Sequence, residues 1–128
     1  MRHDVIPDVM FVLNNTENMG KRTCRIPASK LIKEMLTVIH KAGYIGSFNF
    51  IDNGKTGEFE VELVGRINRS RAIKPRFPAK YTEYEKWEKR YLPSRDFGIL
   101  IVSTPKGIMT QKEAKEKELG GRMLAYIY

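Results

Sequence analysis

Cysteine and histidine are nearly absent from this sequence, which contains Cys24, His3 and His40 and no others. A single cysteine forms no internal disulfide, no CxxC pair and no cysteine metal cluster. We therefore expect Cys24 to be a small packed thiol and the fold to need neither a metal nor a cofactor. This cysteine usage is typical of a reducing compartment such as the cytoplasm.

Long hydrophobic runs are also lacking. Runs such as residues 9–13 and 99–102 are far shorter than the ~20 apolar residues that cross a bilayer. Near the N-terminus, Asp4, Pro7 and Asp8 occupy positions where a signal peptide would be apolar. We expect a soluble, cytoplasmic protein with no membrane partner.

Enzyme motifs are missing as well. The sequence contains no GxxxxGK P-loop, no GxGxxG, no GxSxG and no HExxH. Glu58, Glu60 and Glu62 alternate with apolar residues, so we expect them on the wet face of a strand rather than in an acid–base pair. We expect no catalytic activity.

Acidic residues are scarce in the second half of the chain. Residues 1–65 contain eight basic and eight acidic residues, whereas residues 66–128 contain fifteen and seven, which accounts for the whole net charge of +8. A positive field confined to one half favours a polyanionic partner such as nucleic acid. Four aromatic residues, Tyr81, Tyr84, Trp87 and Tyr91, lie among these cations. Their spacing fits either rings that stack on unpaired bases or the apolar face of a short helix.

Apolar periodicity predicts an N-terminal αβαββ unit. A helix is expected from near Asp4 to residues 14–16, then a strand over 21–26 and a second helix that Ser29 caps and Gly43 ends. A hairpin follows, with strands at 44–51 and 58–64 and a turn at Asn53-Gly54. We predict an α+β fold of two small α/β subdomains, residues 1–65 and 66–128.

The second subdomain is predicted to be β-rich with one short surface helix. A covered strand at 99–102 leads into the turn at residues 103–107, and Thr110 and Glu113 have the spacing of a capping box that starts a helix. We interpret the turn as a βα connection whose hydroxyls, lysine and glycine suit contacts with sugars and phosphates. Gly120-Gly121 should end the helix, and residues 122–128 should pair beside 99–102.

The motif of residues 103–110, STPKGIMT, followed by Glu113-Ala114 and Gly120-Gly121, resembles the family of the eighth protein of the small ribosomal subunit. The resemblance extends to residues 26–30, 43–45 and 69–70. Pro105, where many bacterial members have serine, and a longer 75–95 segment resemble the archaeal or eukaryotic branch. Pro105 also removes one hydroxyl from the turn.

The resemblance implies a protein that binds a helical element in the central domain of small-subunit ribosomal RNA and helps assembly, beside neighbouring small-subunit proteins. Bacterial members also bind their own messenger RNA. The protein is expected to be a monomer outside the ribosome, since no coiled-coil seam is present. The residues expected to bind RNA are Ser103, Thr104, Pro105, Lys106, Gly107, Thr110, Lys112, Gly120, Gly121, Arg66, Arg69, Arg71, Lys74 and Lys30.

A DNA-binding regulatory module is the alternative, because a basic strand–helix element can lie on duplex DNA. The predicted helix after Thr110 alternates lysine with glutamate, however, and so makes a poor recognition helix.

Overall fold

The computed structural model of the protein describes residues 5–94 and 97–128. Its elements are, in order, α1 (Val5–Asn18), β1 (Thr23–Pro27), α2 (Lys30–Lys41), β2 (Ile45–Ile51), β3 (Glu58–Leu63), β4 (Ser70–Ala72), β5 (Pro78–Ala79), a 3-10 turn (Tyr81–Glu83), α3 (Tyr84–Tyr91), β6 (Ile99–Thr104), β7 (Gly107–Thr110), α4 (Gln111–Glu116) and β8 (Gly121–Ile127). The strands form two sheets, which confirms the α+β class. The predicted helix start at Asp4 lies outside the described residues.

The first sheet is antiparallel, with strand order β1-β3-β2. On β3, Phe59, Val61 and Leu63 are buried while the intervening glutamates face outward, as the alternation predicts. In the β2–β3 loop, Asn53 Oδ1 accepts hydrogen bonds from Lys55 N and Gly57 N at 3.0 Å. Gly54 has a φ of 78°, the positive value predicted for the glycine of the Asn-Gly pair, whereas Asn53 has no positive φ.

The second sheet has the order β4-β8-β6-β7, and β5 pairs with the other end of β8. The terminal strand lies beside β6, which confirms the prediction. Strands β4, β5 and β7 were not predicted from the sequence. They contain two to four residues each, too few for a period-two pattern to stand out.

Two hydrophobic clusters cover the two faces of the second sheet. The first contains Ile99, Ile101 and Ile127 and continues through α1, α2 and the first sheet. The second contains Leu100 and Val102 of β6 together with residues of α3, α4 and β8. Strand β6 is therefore covered on both sides, which explains its run of consecutive apolar residues.

A β-bulge allows β8 to serve both clusters. Ile101 pairs with Ala125 and Val102 with Met123, so Leu124 is an extra residue between them. Leu124 and Ala125 consequently both belong to the first cluster, whereas Met123 belongs to the second.

Helix α1 continues to Asn18, past the predicted end at residues 14–16. Tertiary hydrogen bonds hold this last part, because Asn14 Oδ1 accepts from Ser70 N at 3.0 Å and Glu17 Oε1 accepts from Ile67 N at 3.1 Å. Both partners are distant in sequence, so local propensity does not reveal them.

Helix α4 is shorter than predicted and ends before Gly120-Gly121. Glu118 has a φ of 56°, and Leu119 N donates to Ala114 O at 2.8 Å. This is the left-handed helix ending that glycine usually adopts, here formed by glutamate.

The aromatic residues of α3 are mainly core. Tyr84 and Trp87 are buried in the second cluster, so the apolar-face interpretation is correct for them and base stacking is not. Trp87, Tyr91, Tyr126 and Tyr128 form successive stacked pairs, with centroids 5.3–6.3 Å apart. This aromatic ladder fastens α3 to the terminal strand.

Candidate nucleic-acid interface

The turn at residues 103–107 is the tip of a β-hairpin rather than the predicted βα connection. Strands β6 and β7 pair directly, with Thr104 opposite Gly107, so Pro105 and Lys106 form the loop. The sequence interpretation was wrong here because residues 107–110 pair with β6 before the helix begins. A two-residue loop holds Lys106 at the exposed end of a paired ribbon.

Thr104 stabilises this turn from within. Its side-chain hydroxyl donates to Gly107 O at 2.7 Å and accepts from Lys106 N at 3.2 Å. Only 8% of Thr104 is exposed. The hydroxyl is therefore already used by the backbone of the loop, whereas Ser103 is half-buried on the neighbouring strand position.

Proline and glycine fix the shape of the loop. Pro105 sets its own φ near that of the first central turn position, and Gly107 has a φ of 121°, which favours glycine. A Cβ at Gly107 would meet nothing within 4 Å, so its conformation and not its surroundings requires glycine.

Gly120 and Gly121 have a packing role. A Cβ on Gly121 would collide with Ser103 O, and one on Gly120 would lie 2.8 Å from Ala79 O. Both glycines let β8 approach its neighbours closely, next to the strand that carries the turn.

A groove that we call the lysine groove separates α2 from the β6–β7 hairpin. Its volume is about 470 Å³, and its lining includes Lys30, Lys33, Lys41 and Lys106, with Glu34 and Glu113 as the acidic members. The predicted residues Lys30, Lys106 and Gly107 are thus brought together. The sequence reasoning missed Lys33 and Lys41, although residues 30, 33, 37 and 41 follow a helical stripe.

The lysine groove continues toward the start of α4. This part, of about 340 Å³, contains Lys41, Thr110, Lys112 and Glu113. Thr110 caps α4, since its Oγ1 accepts from Glu113 N at 3.3 Å, which confirms the predicted N-cap. Gln111 is buried and accepts from Leu100 N at 2.8 Å, which ties α4 to β6.

The other predicted cations lie elsewhere. Arg69, Arg71 and Lys74 are exposed on and beside β4, the edge strand opposite β7. Arg66 is exposed as well, but its guanidinium reaches Gly43, beside the part of the lysine groove that Lys41 and Tyr44 line. The predicted residues therefore form two separate groups, one at the lysine groove and one at the β4 edge. Gly120 and Gly121 belong to neither group.

Cys24 and His40 have structural surroundings. Burial, with a smaller contribution from Glu17, raises the pKa of the Cys24 thiol to about 11. His40 Nδ1 lies 2.9 Å from Gly46 O.

Within residues 5–94 and 97–128, no group of three or more His, Cys, Asp or Glu residues could hold a metal ion. No helix in that part of the chain is long and apolar enough to cross a membrane.

Two exposed cationic surfaces on a small basic α+β fold are typical of nucleic-acid-binding proteins. The comparisons specify it further, since the family model described as ribosomal protein S8 matches residues 4–128. The chain is 48% identical over 126 residues to the small ribosomal subunit protein uS8 of Methanococcoides burtonii, covering 98% of this chain and 97% of that protein. This chain belongs to the ribosomal protein S8 family. The archaeal relative is consistent with the archaeal or eukaryotic branch that Pro105 and the 75–95 segment indicated.

Proposed function

We propose that this protein is a structural constituent of the small ribosomal subunit, where it binds a helical element in the central domain of the ribosomal RNA and helps assembly. The relative named above supports the subunit assignment. The observation that carries RNA binding is the lysine groove, in which Lys30 of α2 and the Lys106-Gly107 tip line one surface. Five lysines and two glutamates line its two parts.

The two groups of predicted residues have different tasks in this proposal. Lysines and arginines neutralise phosphates and provide salt-sensitive affinity. The hairpin tip provides selectivity, because irregular A-form RNA is recognised through 2′-hydroxyls and exposed bases rather than through its deep major groove. Ser103 is the better candidate for a hydroxyl contact, since Thr104 holds the loop.

The protein is further proposed to be a cytoplasmic, non-catalytic monomer outside the ribosome and to contact neighbouring small-subunit proteins within it. A DNA-binding role has less support. In that alternative, α4 would be the helix that recognises DNA. It has only six residues, and two of them, Gln111 and Ala114, are buried.

The test compares binding of the full-length protein to three nucleic acids: a central-domain ribosomal RNA transcript, a generic duplex RNA and a duplex DNA. Lys106→Gln is compared with Lys55→Gln, an exposed lysine in the β2–β3 loop. We expect Lys106→Gln to weaken binding to all three and to lower the slope of log affinity against log salt by about 1. Lys55→Gln should leave both quantities unchanged.

Ser103→Ala is expected to weaken binding to the ribosomal transcript far more than binding to generic duplex RNA, because it removes a hydroxyl and no charge. Equal wild-type affinity for all three nucleic acids would contradict the proposed function. An equal loss for Ser103→Ala on both RNAs would contradict the selectivity assigned to the hairpin.

A further inference from the structure

A second concave surface lies between α1 and the free edge of β4, and we call it the edge groove. Its volume is about 440 Å³, and its lining includes Pro7, Phe11, Asn14, Arg71, Ala72 and Lys74. The edge groove shares none of its lining with the lysine groove. A pocket of this size accommodates a small planar ligand.

Phe11 gives the edge groove an exposed aromatic ring. It is 66% exposed, although Val9, Met10 and Leu13 of the same helix are buried. The ring therefore contributes little to the core of the fold. An exposed phenyl ring beside cations is the surface on which an unpaired base stacks.

The edge of β4 adds unpaired backbone groups. Arg69 N donates to Tyr128 O at 2.8 Å and Ile73 N donates to Leu124 O at 2.9 Å, so the odd-numbered residues face β8. Alternation directs Ser70 and Ala72 to the free edge, and Ser70 N accordingly bonds to Asn14 Oδ1. Ala72 N–H and C=O are consequently a donor and an acceptor side by side in the edge groove.

The charge of the edge groove selects an anionic partner. Arg71 and Lys74 are both exposed, and no acidic residue is among its described lining. A protein segment would need matching acidic side chains, whereas every nucleotide carries a phosphate next to its base. The aromatic ring suits a base, the backbone donor and acceptor suit the edge of that base, and the cations suit the phosphates, so the groove fits a nucleotide.

We propose that the edge groove binds one unstacked nucleotide of an RNA strand, with its base on Phe11, its base edge at Ala72 and its flanking phosphates near Arg71 and Lys74. This inference rests on the proposed function, since it gives the bound RNA a second point of contact. Strands β4 and β7 are opposite edges of one sheet, three spacings of ~4.8 Å apart. The two surfaces therefore contact different nucleotides.

The test uses the full-length protein and a central-domain ribosomal RNA transcript. We expect Phe11→Leu to weaken binding roughly tenfold, because leucine keeps the apolar volume but lacks a π face. Phe11→Tyr should bind as the wild type does. Phe50→Leu is the matched control, as Phe50 is 59% exposed on β2, far from the edge groove in the topology, and should have no effect.

The salt dependence separates stacking from charge. Phe11→Leu should leave the salt slope unchanged, whereas Lys74→Gln should lower it by about 1. Wild-type affinity in Phe11→Leu, with binding still weakened by Lys106→Gln, would overturn this inference and leave the proposed function intact. Unchanged RNA affinity together with impaired joining of subunit proteins would assign the edge groove to a protein and overturn it as well. A wild-type protein with no preference for the transcript would overturn both proposals.

Discussion

At the residue scale, several motif residues shape the surface instead of contacting a ligand. Thr104 holds the hairpin loop through two hydrogen bonds, and Gly121 lets β8 pass close to Ser103. A sequence motif contains residues that shape a surface together with residues that contact the ligand, because the surface needs both. Their separation depends on distances between strands that are remote in sequence.

Gly121→Ala should destabilise the protein by about 3 kcal/mol, because the new Cβ collides with backbone at Ser103 O and a strand must move. Gly46→Ala is the matched control. Gly46 also lies in a strand, but its added Cβ would meet the mobile end of the Glu62 side chain, so we expect a loss below about 1 kcal/mol. Urea unfolding measures both, and equal losses would contradict the packing role of Gly121.

At the element scale, the apolar stripes predicted α1, α2, the β2–β3 hairpin and the pairing of the last strand. Side-chain caps were also visible, and Ser29 Oγ accepts from Ile32 N at 3.2 Å as expected. The ends of α1 and α4 were not predictable. Tertiary bonds extend α1, and a glutamate takes the place of the expected glycine in α4.

Glu118→Gly should stabilise the protein by about 1 kcal/mol, because glycine adopts the left-handed conformation of this helix end without the penalty that a side chain adds. Glu116→Gly removes the same side chain at the last helical residue of α4 and should destabilise the protein by up to about 1 kcal/mol. The urea midpoint, followed by Trp87 fluorescence, distinguishes the two. A destabilising Glu118→Gly would contradict the assigned helix end.

At the scale of the whole molecule, sequence reasoning located the positive charge in the second half but not its division into two surfaces. Lys30 belongs to the first half and still lines the lysine groove with Lys106. The first hydrophobic cluster likewise combines residues from both sides of residue 65. The division into two subdomains, residues 1–65 and 66–128, remains a prediction. Because the first cluster contains residues of both, we expect the two to unfold together.

Leu13→Ala tests this expectation. Leu13 is fully buried in the first cluster, so the cavity should cost about 2–5 kcal/mol. We expect the unfolding midpoint reported by Trp87, which lies in the second cluster, to fall as far as the midpoint from far-UV circular dichroism. Met19→Ala, at an exposed site, should shift neither. An unshifted Trp87 transition would instead indicate two subdomains that unfold separately.

The bulge at Leu124 determines which residues of β8 face each hydrophobic cluster. Deleting Leu124 would join Met123 directly to Ala125 and keep the alternation, whereas one residue more between Ala125 and Tyr126 would exchange the two faces for every position beyond the insertion. Tyr126 would then enter the first cluster, and Ile127 would occupy a place in the aromatic ladder. Beyond its bulge, strand β8 therefore tolerates changes of side chain more readily than an added residue.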